Sequence, residues 1–168
     1  MSIFAGENTK LLIQGITGRA ACEKTPHMIE YGTDVVAGVT PGKGGQEVAG
    51  VPVYDTVRNA LREHPEIDTS LIYVPPFAAK DAVLEAVENG IETVNIVTER
   101  IPTRDSWEIK RAADRHNADI IGPTSVGVIS PGKTKLGPIG GSDPESVYRE
   151  GNIGVISKSG GMTTETSW

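Results

Sequence analysis

"LLIQGITGRAACEK", residues 11–24, decides how the chain is read. A short apolar run enters a Gly-x-x-Gly turn at Gly15–Gly18, then meets small residues that open a helix. Strand, glycine turn and helix start is how an α/β fold aims backbone N–H groups at a phosphate. The glycines are not spaced as G-x-G-x-x-G, and Ala21 stands where a third glycine of such a loop would sit. On these residues alone two roles stay open for Gly15–Ile16–Thr17–Gly18–Arg19, an anion cradle or a turn in which glycine serves only geometry.

Outward from this turn the pattern alternates. Lys10–Ile16 reads as a strand, and Ala20–Tyr31 suits a helix. Thr33–Val39 is a second strand, running into the glycine-rich "TPGKGGQEVAG". Asp55 is placed to cap a helix that runs through Glu63 and stops near Pro65. "TSLIYVPP" is a third strand. "AAKDAVLEAVENGI" is the clearest helix, apolar at Ala79, Ala82, Val83 and Val87 with Gly90 as its stop. "ETVNIVTE", "RDSWEIKRAADRHN" and "ADIIGP" continue as strand, helix and strand. Nearly continuous apolar strands between helices predict a mostly parallel α/β sheet over residues 1 to about 130, with helices on both faces. The absence of a hairpin signal between the early strands argues against an α+β layer fold.

Residues 132–151 are polar and rich in Gly and Pro, with a hint of a helical turn at Pro144–Tyr148. "NIGVISKSGGMTTETSW" then repeats the opening logic, a strand at Ile153–Ile156, a Ser/Gly turn and a helix start. The expected organisation is a Rossmann-like domain at 1–130, a linker at 131–151 and the start of a second domain at 152–168.

The bulk numbers exclude several classes. The formal net charge of −6 argues against nucleic acid or an anionic membrane as the main partner. One cysteine precludes an internal disulfide and suits a reducing compartment. No apolar stretch approaches the roughly 20 residues of a membrane span, and no signal peptide is legible, so the cytoplasm is expected. His27, His64, His116 and Cys22 have no metal-ligand spacing, and no metal site is expected.

A second feature is "VTPGKGG", Val39–Gly45, at the end of the second strand. A half-fold that binds NAD places an acidic residue there for the ribose hydroxyls. This chain places Lys43 there, which prefers a phosphate monoester such as that of NADP or coenzyme A. "YVPPF" (73–77) and "VTERIP" (97–102) end the third and fourth strands. They either sandwich an adenine or a pantetheine arm or merely stop strands.

Seven ordered stretches carry a family resemblance: "NTKLLIQGITG", "YGTDVVAGVTPGKGG", "GVPVYDTV", "IYVPPFAAKDAVLEA", "NIVTERIPTRD", "IIGPTSVGVISPGK" and "GNIGVISKSGGMTTE". Together they resemble the α subunits of succinyl-CoA synthetases, within the nucleoside-diphosphate-forming acyl-CoA ligases that also include ATP-citrate lyase. The resemblance implies a CoA-binding domain followed by a flavodoxin-like domain. By position, Thr17, Gly18, Arg19 and Ala20 would line the CoA phosphates, Lys43 would bind CoA, and Val97, Thr98 and Glu99 would complete the pocket. It also implies a β subunit that handles Mg-ATP or Mg-GTP in a heterodimer or heterotetramer, a small dicarboxylic acid, and a role in the tricarboxylic acid cycle. The family's phosphorylated histidine is expected beyond Trp168, so no catalytic residue is expected in this segment.

Departures accompany the resemblance. Ala20 and Ala21 replace a Gln/Glu–Gly pair, Arg100 replaces a glycine, and Gly122–Pro123–Thr124 replaces Gly-Pro-Asn. The last leans toward the citrate-lyase side and leaves a citrate- or malate-type acid as an alternative. An NADP-dependent Rossmann oxidoreductase and a non-catalytic CoA-binding protein are the rivals from other classes.

Overall fold

The computed structural model describes residues 3–167. A seven-stranded sheet forms from β1 (Lys10–Gln14), β2 (Asp34–Val39), β3 (Glu47–Val48), β4 (Val51–Tyr54), β5 (Thr69–Ile72), β6 (Thr93–Ile96) and β7 (Asp119–Ile121). Its order is β3-β4-β2-β1-β5-β6-β7, parallel throughout except for the short edge strand β3.

Side chains of β1 explain why the sheet is covered twice. Leu12 belongs to one core cluster with Val57 and Ala60 of α2 (Val57–Glu63), Val83 and Ala86 of α3 (Pro76–Glu88), and Ile109 and Ala112 of α4 (Thr103–His116). Leu11 and Ile13 belong to the other, with Ala21 and Met28 of α1 (Arg19–Glu30). Alternate strand residues point to opposite faces, so an unbroken apolar strand needs helices on both. The expected Rossmann-like architecture is what forms.

Several boundaries differ from the sequence expectation. β1 ends at Gln14 rather than Ile16, because Gly15 turns at φ +83°. The cap of α2 is Thr56, whose hydroxyl accepts from the Asn59 N–H at 3.1 Å; Asp55 instead accepts from the Gly44 N–H at 2.9 Å. A hairpin does occur, β3 with β4, across Ala49 (φ 52°) and Gly50 (φ 80°). Both turn residues are left-handed, as a two-residue hairpin of matching twist requires.

A second small sheet, β8 (Val128–Ser130) antiparallel to β9 (Thr134–Leu136), folds back onto the α1 side of the main sheet. Leu136 is fully buried there, and the Thr33 hydroxyl donates to the Lys135 carbonyl at 2.7 Å while accepting from its N–H at 3.0 Å. A 3₁₀ turn at Pro144–Ser146 falls within the expected helical turn.

The strand expected at Ile153–Ile156 does not form. These residues pair with no neighbour among those described, and Ile153 and Ile156 are 84% and 87% exposed. An isolated extended segment leaves its ladder hydrogen bonds to water and has nothing to pack against. The helix start after it does form, as α5 (Gly160–Ser167), with no buried residue. Among the described residues no helix is long and apolar enough to cross a membrane.

Candidate functional site

Counted from the edge, the six parallel strands run β4-β2-β1-β5-β6-β7, so the chain leaves β1 and β5 in opposite directions. Ligands of open α/β sheets bind beyond the carboxyl ends of the strands at such a switch point. The turn after β1 and the loop after β5 face each other there. Gly15 is required: at φ +83° a Cβ would stand 3.1 Å from the backbone of Tyr73 and Val74. Its N–H donates to the Val39 carbonyl at 2.7 Å, which ties the turn to β2.

Gly18 caps α1 in an extended conformation, and among the described residues no side chain accepts from the first helical turn. The N–H of Gly18 itself is spent on the Gly15 carbonyl at 2.9 Å, and the first intrahelical bond is from Cys22 to Gly18. The N–H groups of Arg19, Ala20 and Ala21 thus stand at the positive end of α1. Arg19 and Ala20 are exposed, whereas Ala21 is a buried helical residue in the α1-side core. Its methyl therefore points away from the crevice and does not narrow it.

Thr17 is partly committed. Its hydroxyl donates to Thr40 Oγ1 at 3.1 Å, and Thr40 donates onward to the Val39 carbonyl at 2.8 Å. Thr40 is a positioning residue that the sequence reading missed. The signal for it was only its place at the end of β2, opposite the glycine turn.

Lys43 rides a turn closed by its own N–H to the Thr40 carbonyl at 3.0 Å and by Gln46 N–H to its carbonyl at 3.2 Å. Asp55 holds the next residue, Gly44. The lysine side chain is exposed and has no partner among the described residues.

Across the switch point, Tyr73 buries its phenol with no hydrogen-bond partner among the described residues, and burial pushes its pKa up to about 12. Phe77, in the first turn of α3, is 82% exposed. After β6, Val97 turns toward the α1-side core. The Thr98 hydroxyl donates to the Val74 carbonyl at 2.7 Å, joining two loops of the crevice. Glu99 and Arg100 are exposed. After β7, the Thr124 N–H donates to the Thr98 carbonyl at 3.1 Å.

Thr17, Gly18, Arg19, Ala20, Lys43, Val97, Thr98 and Glu99 thus all follow the carboxyl ends of β1, β2 and β6, on one edge of the sheet. His27, His64 and His116 lie at the far ends of α1, α2 and α4, toward the opposite edge. His64 is occupied by the Tyr54 hydroxyl at 3.0 Å, and the Cys22 thiol donates to the Ile16 carbonyl at 3.3 Å. The depression lined by Phe4, Asn8, Asp68 and Lys133 also lies at that opposite edge. A second depression, lined by Gly44, Tyr54, Asp55 and Asn59, adjoins the Lys43 turn.

The family model described as the CoA binding domain matches residues 6–100, over half of the chain. A succinate–CoA ligase (ADP-forming) subunit alpha 2 from Archaeoglobus fulgidus is 47% identical over 173 residues, covering 100% of this chain and 57% of that protein. A subunit of an ADP-forming sulfoacetate-CoA ligase from an Acholeplasma species is 46% identical, covering 99% of this chain and 56% of that protein. The chain therefore spans little more than half the length of these relatives. The structure of ATP citrate lyase from Methanothrix soehngenii, in complex with citrate and coenzyme A, superposes with a TM-score of 0.84 at 24% identity. That superposition covers 98% of this chain and 29% of the lyase, and it shows the shared fold.

Proposed function

The chain belongs to the CoA-binding domain family, and on that premise we propose that it is the CoA-binding part of an α subunit of a nucleoside-diphosphate-forming acid–CoA ligase. The overall reaction is acid, CoA and ATP or GTP giving acyl-CoA, nucleoside diphosphate and phosphate. The observation that carries the reading is that the glycine turn, the Lys43 turn and the β6 loop lie along the same carboxyl edge of the sheet, flanking the switch point and tied to their neighbouring strands.

In this reading the free N–H groups of Arg19, Ala20 and Ala21, with the Arg19 guanidinium, receive the CoA pyrophosphate. Lys43 receives the phosphate monoester of the same molecule. Val97, Thr98 and Glu99 border the pantetheine arm, with Thr98 acting through its grip on the β5 loop. CoA supplies the thiol on which the acyl group ends. The chain itself binds and orients; Mg-ATP or Mg-GTP is handled by a partner β subunit, and a histidine beyond Trp168 relays the phosphoryl group. The domain division assigned to this reading is 1–130 for CoA, 131–151 as a connection whose β9 packs back onto the first domain, and 152–168 as the start of the second ligase domain, in a cytoplasmic protein. Succinate and sulfoacetate, the acids named for two relatives, each carry a second anionic group, and this chain is assigned an acid of that kind.

Calorimetric titration of residues 1–168 with CoA, dephospho-CoA and NADPH tests the reading. CoA should bind, dephospho-CoA should bind more weakly, and NADPH should give no heat. Binding of NADPH without CoA overturns it. With Mg-ATP, CoA and a dicarboxylate, these residues alone should form no acyl-CoA. Labelled phosphate on His27, His64 or His116 would put the chemistry elsewhere.

A further inference from the structure

Arg100 is held in the left-handed region at φ 59°, where a bulky non-glycine residue is strained. Such strain persists where the surroundings over-determine it, and it gathers at ligand sites. Arg100 directly follows the Thr98–Glu99 pair at the carboxyl end of β6, on the crevice edge. The surroundings hold this loop from two sides, by Thr98 to the Val74 carbonyl and by the Thr124 N–H to the Thr98 carbonyl. Its side chain is exposed and pairs with no group among the described residues, the adjacent Glu99 included.

The order of the strands gives this cation a place along the ligand. The proposed phosphate monoester site, Lys43, follows β2, and the pyrophosphate site follows the neighbouring strand β1. CoA is itself linear in the same sense: phosphate monoester, pyrophosphate, pantetheine, thiol. Continuing in that direction crosses β5 and arrives at β6, two strand spacings or roughly 10 Å beyond the pyrophosphate. Arg100 therefore stands on the thiol side of the crevice, remote from both phosphate sites.

From this placement we infer that Arg100 is a specificity-determining residue that binds the terminal anion of the acyl group carried on CoA. Its planar fork donates two parallel N–H groups to a carboxylate, or the same donors to a sulfonate. The inference rests on the CoA reading above.

The test is titration of the full 168-residue chain with unmodified CoA and with three stable thioethers of CoA, carboxypropyl, sulfopropyl and butyl. The parent should bind an anionic thioether about tenfold more tightly than the butyl one, as expected for hydrogen bonds to a charged group. In R100G that preference should vanish while CoA and the butyl thioether bind as before; in R100K part of it should return. A preference for carboxypropyl assigns a carboxylate to the site, and one for sulfopropyl assigns a sulfonate. A parent without preference, or an R100G variant that keeps it, overturns the inference while CoA binding stands. Failure of unmodified CoA to bind the parent overturns the CoA reading itself.

Discussion

The hydroxyl of Thr98 donates to the carbonyl of Val74 across 2.7 Å, so the loop after β6 is fastened to the loop after β5 by a side chain rather than by the sheet ladder. The sheet has ended there: β5 stops at Ile72 and β6 at Ile96. Two loops that border the crevice would otherwise be free to part. Thr98 is 9% exposed, so the bond is shielded from water.

Thr98→Val keeps the shape and removes the donor, leaving the Val74 carbonyl without it. A stability loss of about 1–2 kcal/mol is expected, read from urea unfolding. CoA affinity should fall as well, because the loops lose their mutual position, and Thr98→Ser should restore both. A valine variant that matches the parent in stability and in CoA affinity removes Thr98 from the site.

Lys43→Ala tests the electrostatic half of the crevice. The side chain is exposed and has no partner among the described residues, so its removal should leave stability unchanged within about 0.5 kcal/mol. CoA should bind roughly tenfold more weakly, with a shallower dependence on salt. Dephospho-CoA should bind parent and variant alike. Equal loss for both ligands would mean that Lys43 serves the turn and not the phosphate monoester.

The parts of this site that were legible in the sequence are those fixed by local pattern. Gly15, Gly18 and Lys43 lie at strand ends, and strand ends follow from the apolar runs. Thr40 was invisible because its role depends on facing Thr17 across two strands. The β3–β4 hairpin was missed because Ala49 occupies a left-handed turn position that glycine, asparagine or aspartate normally signals. β9 was hidden in a polar stretch, since a lysine reads as a surface residue and Lys135 is 2% exposed. Ile153–Ile156 errs the other way: the local pattern is a strand, but pairing depends on a neighbour that pattern does not provide.

Thr124 is β-branched yet sits at φ 60°, while its N–H remains bonded to the Thr98 carbonyl. Asparagine tolerates that conformation and retains the N–H. Thr124→Asn is expected to stabilise the chain by about 1 kcal/mol, seen as a higher unfolding midpoint. Thr124→Gly should gain less, because glycine also loosens the unfolded chain. An asparagine variant less stable than the parent would show that the threonine side chain contributes more through its contacts than the backbone strain costs.

Lys135 sets the pH dependence of the β8–β9 region. Its ammonium is buried, donates to the Gly141 carbonyl at 2.6 Å and has no carboxylate partner among the described residues. Burial, then the nearby positive charge of Lys24, holds its pKa below the ordinary 10.5. Between the folded value and 10.5 the unfolded chain binds more protons than the folded one, so stability rises with pH across that window. Below the folded value the burial penalty is present in full, and above 10.5 it is gone. Lys135→Met fills the same volume without the charge and lacks this titration. Relative to the parent, the methionine variant should therefore fare best at neutral pH, and its advantage should shrink as pH approaches 10.5. Urea midpoints of the two proteins at several pH values across that range check the sign. A difference that stays constant with pH would show that the Lys135 pKa is unshifted by folding, and one that grows as pH rises would show that the fold raises it.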